Sequence, residues 1–233
     1  MAGSGSRRAA GQQRGGAADA TRAALVDAAV AALREQGFAG ASAREIARRA
    51  DCNQALVFYH FGSVVNLHLA ALDQVSAERQ VRYQAAVEGA TSLRELIGTA
   101  RGVVTEDLDQ GHVAVLATMI AAAQSTPGLG AQVAARIAPW REFAARSVQD
   151  VLGGVPFAGA VPADEVAHAV VALYLGLEML ASLDGDRAPA QALFDRAGKL
   201  APLLDALGRA TLRRRRVRKR RAAREARPEG DPG

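Results

Sequence analysis

The chain has 233 residues, a mass of 24.3 kDa and a formal net charge of +5. Hydrophobic residues make up 49% and charged residues 23% of the chain, which is enough for a buried core and excludes a wholly disordered protein. Because aromatic residues are only 4%, the core is built mainly from Ala, Leu and Val, a mixture that favours helices. A single cysteine excludes a disulfide framework and a zinc site with several thiolates.

Neither a membrane span nor a signal peptide is predicted. The longest apolar runs cover residues 113–123 and 169–177, and both fall short of the roughly 18–20 residues that cross a bilayer. The N-terminus is rich in Gly, Ser and Arg and has no apolar segment. We therefore expect a cytoplasmic protein.

Charge is unevenly distributed along the chain. The net charge is +2 over residues 1–20, +1 over 21–67, −5 over 68–212 and +7 over 213–233. A basic terminus is typical of a segment that contacts a polyanion such as nucleic acid or an anionic membrane. A solvated tail with no partner is the other interpretation, and composition alone does not separate the two.

Helical periodicity begins at Thr21. Residues 1–20 are low in complexity and lack an apolar pattern, so we expect a disordered basic arm. Leu25 and Leu33 lie in an apolar stripe with helical spacing, and Gly37 is a predicted C-cap.

Two short helices are predicted next, over residues 43–50 and 53–60. Ser42 followed by Glu45 is a capping box, and Asn53 is a predicted N-cap. Ser63 then precedes a long helix, and further helical patterns follow at 92–109, 113–124, 131–152, 162–183 and 190–207. No alternating run indicates a strand, so the sequence predicts an all-α protein with about nine helices.

The two short helices form a predicted helix–turn–helix. The second of them is short, amphipathic and polar at its N-terminal end, as expected of a helix that enters the major groove. We expect Val57 and Phe61 to face a core with Ile46 and Ala47. On this pattern Gln54 bonds an adenine edge, Ala55 and Leu56 touch thymine methyl groups, and Tyr59 and His60 reach phosphates. The helical pattern by itself also fits a plain three-helix packing unit.

Residues 21–72 resemble the N-terminal domain of TetR-type transcriptional regulators. The resemblance rests on an apolar first helix ending at Gly37-Phe38, on the Ser42, Ile46-Ala47 and Ala50 positions, and on the segment from Val57 to Ser63 followed by Leu67. It implies an all-α fold of nine or ten helices, a homodimer, a palindromic DNA operator and a C-terminal domain that takes a small-molecule effector.

The resemblance also implies a set of DNA-contacting residues. These are Ser42, Arg44, Asn53, Gln54, Ala55, Leu56, Phe58, Tyr59 and His60. The sequence departs from the family pattern at three positions: Asp51 replaces a turn Gly, Phe58 replaces a common Tyr, and Val64 replaces a Lys that contacts DNA. We therefore expect a modest intrinsic DNA affinity, which the basic ends of the chain would offset.

The expected domains are a helix–turn–helix domain over 21–67, a ligand-binding and dimerisation domain over 68–210 and an Arg-rich disordered tail over 211–233. The resemblance implies an effector pocket, for which the inward-facing candidates are Met119, Gln124, Trp140, Phe143, Tyr174, Glu178 and Met179. Ordinary core is the other interpretation of each residue. The two last helices, 162–183 and 190–207, are apolar over more than one face and are the expected dimer interface.

Residue patterns do not point to an enzyme. The four histidines lack metal-ligand spacing, and the chain has neither a phosphate-binding Gly-rich loop nor a nucleophile elbow. We interpret Cys52 as a packing residue and expect no metal and no cofactor. The prediction is a sequence-specific DNA-binding regulator, a repressor released by a small molecule. The alternative is a helical interaction protein whose Arg-rich tail binds RNA or an anionic membrane.

Overall fold

A computed structural model of the chain describes residues 4–88, 90–110, 112–152, 162–203 and 206. The Arg-rich tail lies outside the described residues. Eight helices have defined bounds: α1 (Ser4–Gly40), α2 (Ala43–Arg49), α3 (Ala55–Phe61), α4 (Val64–Val87), α5 (Leu93–Gln110), α6 (His112–Ala123), α7 (Leu129–Leu152) and α8 (Ala163–Asp184). Residues 188–203 are also helical and are called α9. The described residues contain no strand, and the predicted all-α fold is confirmed.

Helix α1 differs from the sequence-based expectation at its N-terminal end. It begins at Ser4, whereas the sequence predicts a disordered arm up to residue 20. Ala, Gln and Arg residues with high helix propensity, and the absence of Pro, allow the helix to extend through this segment despite its glycines. At the other end Gly37 has a positive φ of 68°, which breaks the regular helix where the C-cap is predicted.

The chain divides into two compact units. Unit 1 contains residues 1–82 and 107–138, and unit 2 contains residues 83–106 and 139–233. Helices α4, α5 and α7 each contribute residues to both units.

One apolar core holds unit 1 together. Its largest fully buried apolar side chains come from α1, α2, α3, α4, α6 and α7: Leu25, Leu33, Ile46, Val57, Leu67, Val115, Met119 and Leu129. Helix α1 packs against both α2 and α6. The three N-terminal helices therefore share their core with α4, α6 and the start of α7.

A buried ion pair joins α4 to α5 within unit 1. The Arg79 guanidinium donates through Nε to Asp107 Oδ1 at 3.1 Å and through a terminal nitrogen to the second carboxylate oxygen. Asp107 is fully buried and Arg79 nearly so. This bidentate ion pair compensates both charges in a buried site. Removal of either partner would leave an uncompensated buried charge.

In unit 2, α8 and α9 expose many large apolar side chains. On α8 these are Val170, Leu173, Met179, Leu180 and Leu183, and on α9 they are Leu193, Leu200 and Leu203. Residues 163–183 have a mean hydropathy of 1.8 over an 18-residue window, and only 17% of that window is buried. By length and composition α8 could therefore cross a membrane. The core helix of a soluble protein has the same length and composition.

His68 of α4 ties this helix to the junction between α1 and α2. It is 2% exposed, its Nε2 donates to the carbonyl oxygen of Ala41 at 2.8 Å, and its ring meets Phe38 edge-on at 4.9 Å. The other ring nitrogen, Nδ1, is buried without a hydrogen-bond partner among the described residues. Burial lowers the pKa of His68 below 6.5, and the bond to Ala41 only partly opposes this shift.

We predict that the folded chain loses stability in mild acid through His68. Because the pKa of His68 is lower in the folded state than in the unfolded state, the folded state binds fewer protons. The contribution of neutral His68 to the free energy of unfolding is fully present above pH 6.5. This contribution is lost as the pH falls through the lowered pKa. His68→Gln keeps a donor for Ala41 and cannot titrate, so its melting temperature should depend less on pH over this range. An equal pH dependence in wild type and variant would contradict the prediction.

Candidate nucleic-acid interface

Ser42 begins α2 as its N-cap. Its backbone is extended, with φ −73° and ψ 159°, and its Oγ accepts a hydrogen bond from the backbone N–H of Glu45 at 3.3 Å. This half of the predicted capping box is confirmed. The reciprocal bond is absent, because the N–H of Ser42 donates to Gly40 and the Glu45 carboxylate turns to arginines. The hydroxyl hydrogen of Ser42 is left to donate outward.

Glu45 links α2 to α1 through a charge cluster in which Glu45 and Arg49 are partly buried. Its carboxylate accepts hydrogen bonds from Arg48 and Arg49, and Arg49 also reaches Glu35 of α1 at 2.7 Å. The two guanidinium groups, Arg48 first, lower the pKa of Glu45 to about 2. Arg44 is exposed on the same helix, so it is the cation of α2 that faces outward without belonging to this cluster.

The turn between α2 and α3 has a left-handed residue. Asp51 has a φ of 49°, the one positive φ of a residue other than Gly among those described. The next residue, Cys52, is half-buried and packs against the core of unit 1. Burial and then the Asp51 carboxylate raise the pKa of its thiol, which keeps Cys52 protonated at neutral pH and makes it a poor nucleophile.

Asn53 lies just before α3, and its side chain already accepts a hydrogen bond. Its Oδ1 accepts the N–H of Ala55 at 2.8 Å and its carbonyl oxygen accepts the N–H of Leu56 at 2.9 Å. The helix itself begins at Ala55, and Gln54 occupies the cap position without a side-chain hydrogen bond. The amide oxygen of Asn53 thus shapes the turn, while Gln54 keeps its whole amide for another partner.

Helix α3 has two distinct faces. Val57 is fully buried and Phe61 is 9% exposed, and both pack in the core with Ile46 and Ala47, as predicted. The outward face carries Tyr59, which is 79% exposed. Most predicted contact residues are exposed, namely Ser42, Arg44, Asn53, Gln54, Ala55, Phe58 and Tyr59, and only Leu56 and His60 are partly buried. A short helix thus presents a polar and aromatic face to solvent.

Comparison with known proteins identifies this arrangement. A family model described as bacterial regulatory proteins of the tetR family matches residues 25–71. Residues 25–71 form a TetR-family N-terminal domain. No curated protein matches the chain.

Solved structures of transcriptional regulators, two of them described as TetR proteins, share the fold beyond this domain. A family member from Streptomyces coelicolor is 28% identical with a TM-score of 0.58, over 76% of this chain and 97% of the other. A regulator from Chloroflexus aurantiacus is 23% identical with a TM-score of 0.65, over 78% and 94%. A transcriptional regulator from Pseudomonas aeruginosa is 21% identical with a TM-score of 0.61, over 83% and 92%. The described residues therefore share the helical fold of these regulators.

Two departures from the TetR pattern have visible consequences. Val64 is half-buried against the core of unit 1, so it packs where the family's Lys would contact DNA. Phe58 is 48% exposed and its ring offers no hydroxyl donor. Arg22 of α1 is not among the residues that the sequence predicts, yet its guanidinium lies 5.1 Å from the Phe61 ring centroid. A residue 39 positions away cannot be linked to α3 by a local pattern, yet it brings a cation to the end of that helix.

The predicted pocket residues fall in several environments. Met119 is fully buried in the core of unit 1, and Gln124 is exposed at the end of α6. In unit 2 the Trp140 ring meets Phe143 at 6.4 Å and Tyr83 at 5.8 Å. Tyr174 is partly buried, Glu178 is 3% exposed and Met179 is 41% exposed. No group of three or more potential metal ligands occurs among the described residues.

We predict that Asp51→Gly stabilises the domain. A left-handed backbone costs most side chains roughly 1–2 kcal/mol and costs Gly nothing, although Asp tolerates it better than most. The expected gain in the free energy of unfolding is about 1 kcal/mol, measured by urea denaturation. Asp51→Ala keeps the strained backbone without a polar side chain and should be less stable than wild type. A destabilised Asp51→Gly would show that the carboxylate matters more than the backbone.

Proposed function

We propose that the protein is a homodimeric repressor that binds a palindromic DNA operator and is released by a small-molecule effector. The observation that carries this proposal is the orientation of α3, with Val57 and Phe61 buried and Gln54 and Tyr59 exposed. A helix held by one stripe on a rigid core can enter the major groove with its other face intact.

Different residues of the interface have different tasks. Gln54 at the start of α3 has a free amide, which pairs with the N6 and N7 edge of adenine. Tyr59 and the hydroxyl of Ser42 donate to phosphates and set the position of the protein on the duplex. Arg44 and Arg22 supply positive charge on α2 and α1. Their contribution offsets the family Lys that Val64 replaces.

The exposed apolar faces of α8 and α9 support dimerisation. Val170, Leu173, Leu180 and Leu183 are separated by three or seven residues, so they form one stripe along α8. Leu193, Leu200 and Leu203 form a similar stripe on α9. Two copies of these helices would bury the stripes against each other in a twofold interface.

We infer effector release and repression from the family resemblance together with the composition of unit 2. The helices of unit 2 carry an aromatic cluster and a buried carboxylate, Glu178. This composition is typical of ligand pockets, which are mainly apolar with a few polar groups. TetR-family regulators are typically not enzymes, and we expect this protein to act on DNA in the cytoplasm without catalysis.

We predict that variants of α3 separate base readout from phosphate contact. Gln54→Ala should lower the preference for one base pair by roughly 1–3 kcal/mol. Tyr59→Phe removes only the hydroxyl and should weaken binding to all sequences by a few-fold, since one hydrogen bond is worth about 1 kcal/mol. Gel shifts with DNA upstream of the protein's own coding sequence measure both effects.

Gln132→Ala is the matched control for Gln54→Ala, because Gln132 is an exposed glutamine of α7 in the same unit. It should bind DNA like wild type. Normal DNA binding by both α3 variants would contradict the interface. Absence of any shift, with binding to RNA or anionic vesicles instead, would favour the helical interaction protein.

We predict that Leu180→Arg dissociates the dimer without unfolding the subunit. Leu180 is 63% exposed in the single chain, so the Arg side chain meets no steric barrier until a second copy approaches. Light scattering should give about twice 24.3 kDa for wild type and about 24.3 kDa for the variant. Val81→Arg is the control, since Val81 is 71% exposed on α4. A monomeric wild type, or sedimentation with lipid vesicles, would contradict the proposal.

A further inference from the structure

A groove in unit 2 lies between α5 and α9. One wall is formed by Arg94, Ile97, Gly98 and Arg101 of α5, which share one helix face because of their spacing. The other wall is formed by Phe194, Asp195, Gly198, Lys199 and Pro202 of α9. The groove has a volume of about 400 Å³, within the range of small-molecule sites.

The charge of the groove opposes that of the surrounding sequence. Residues 68–212 carry a net charge of −5, whereas the groove contains three cationic side chains and one carboxylate. Arg101 donates to Asp195 at 2.6 Å, which neutralises one cation. Arg94 and Lys199 are exposed on opposite walls and leave a local charge of +2. A groove with a net positive charge attracts anionic ligands.

Apolar side chains line the same groove. Ile97 and Phe194 are partly buried, and Pro202 also contributes to the lining. Gly98 and Gly198 line the groove, and a Cβ added at either would meet no atom within 4 Å. The missing side chains therefore leave open space beside an apolar floor, which inorganic phosphate would not fill.

The groove remains accessible in the proposed dimer. At 100° per residue, the lining positions of α9 lie on roughly the opposite side of the helix from Leu193, Leu200 and Leu203. An interface built on those leucines leaves the groove facing solvent. Its residues also differ from all the predicted pocket residues, so it is a separate site.

We propose that this groove binds a small organic anion with one terminal oxyanion and a short apolar body. Arg94 and Lys199 hold the carboxylate or phosphate group, and Arg101 contributes guanidinium hydrogens that Asp195 does not use. The apolar body lies on Ile97 and Phe194. This site needs only a folded unit 2, so it does not depend on DNA binding.

Isothermal titration calorimetry of the full chain with octanoate and octyl phosphate tests the proposal. Both ligands should bind, and their ranking identifies the preferred oxyanion. Octylamine and inorganic phosphate should not bind, because one has the wrong charge and the other no apolar body. Octylamine binding as well as octanoate would overturn the proposal, and so would the absence of binding by both anions.

Two pairs of variants locate the bound anion. Lys199→Glu should weaken binding by about ten-fold or more, whereas Arg196→Glu, on the same helix outside the groove, should not. Gly98→Leu should block the groove while favouring the helix, and Gly102→Leu is its matched control because it also meets open space. Unchanged affinity in Lys199→Glu and Gly98→Leu, with unchanged melting temperatures, would place the anion elsewhere and overturn the proposal.

Discussion

The burial of Val57 and Phe61 is the constraint on which the candidate DNA interface depends. Helix α3 has seven residues, so it has one stripe to bury, and that stripe fixes which residues face outward. The core that receives it also contains Met119 of α6 and Leu129 of α7. Since protein interiors are close-packed, a rearrangement of α6 cannot leave α1 and the helices that rest on it unaffected. This shared core offers a physical route from a regulatory event to the recognition helix.

Local signals in the sequence predicted the helices and the cap and turn that border the candidate interface. Gly37 breaks α1 near its end, Ser42 caps α2 and Asp51 takes the left-handed turn, because each requirement is confined to a few neighbouring residues. Side-chain partners were harder to predict. The carboxylate of Glu45 prefers Arg48 and Arg49 to the backbone, since charged hydrogen bonds are stronger than neutral ones. The contact of Arg22 with Phe61 and the groove between α5 and α9 join residues far apart in sequence.

The net charge of a long segment is a poor guide to the charge of the ligand that it binds. The negative total over residues 68–212 favours neutral or cationic effectors, yet the groove between α5 and α9 is locally positive. Similarly, the apolar composition of α8 does not identify the surface that packs against this helix. The exposed stripes on α8 and α9 support the proposed twofold interface, in which they would pack against a second copy of the chain.

The central claim is that α3 reads base edges in the major groove. Interference by 7-deazapurines tests it most directly, because this substitution removes only the N7 acceptor that the major groove displays. If α3 reads base edges, interference should fall in two clusters of positions related by a twofold axis, and Gln54→Ala should lose one position from each cluster. Tight binding without interference at any purine in the protected region would contradict it.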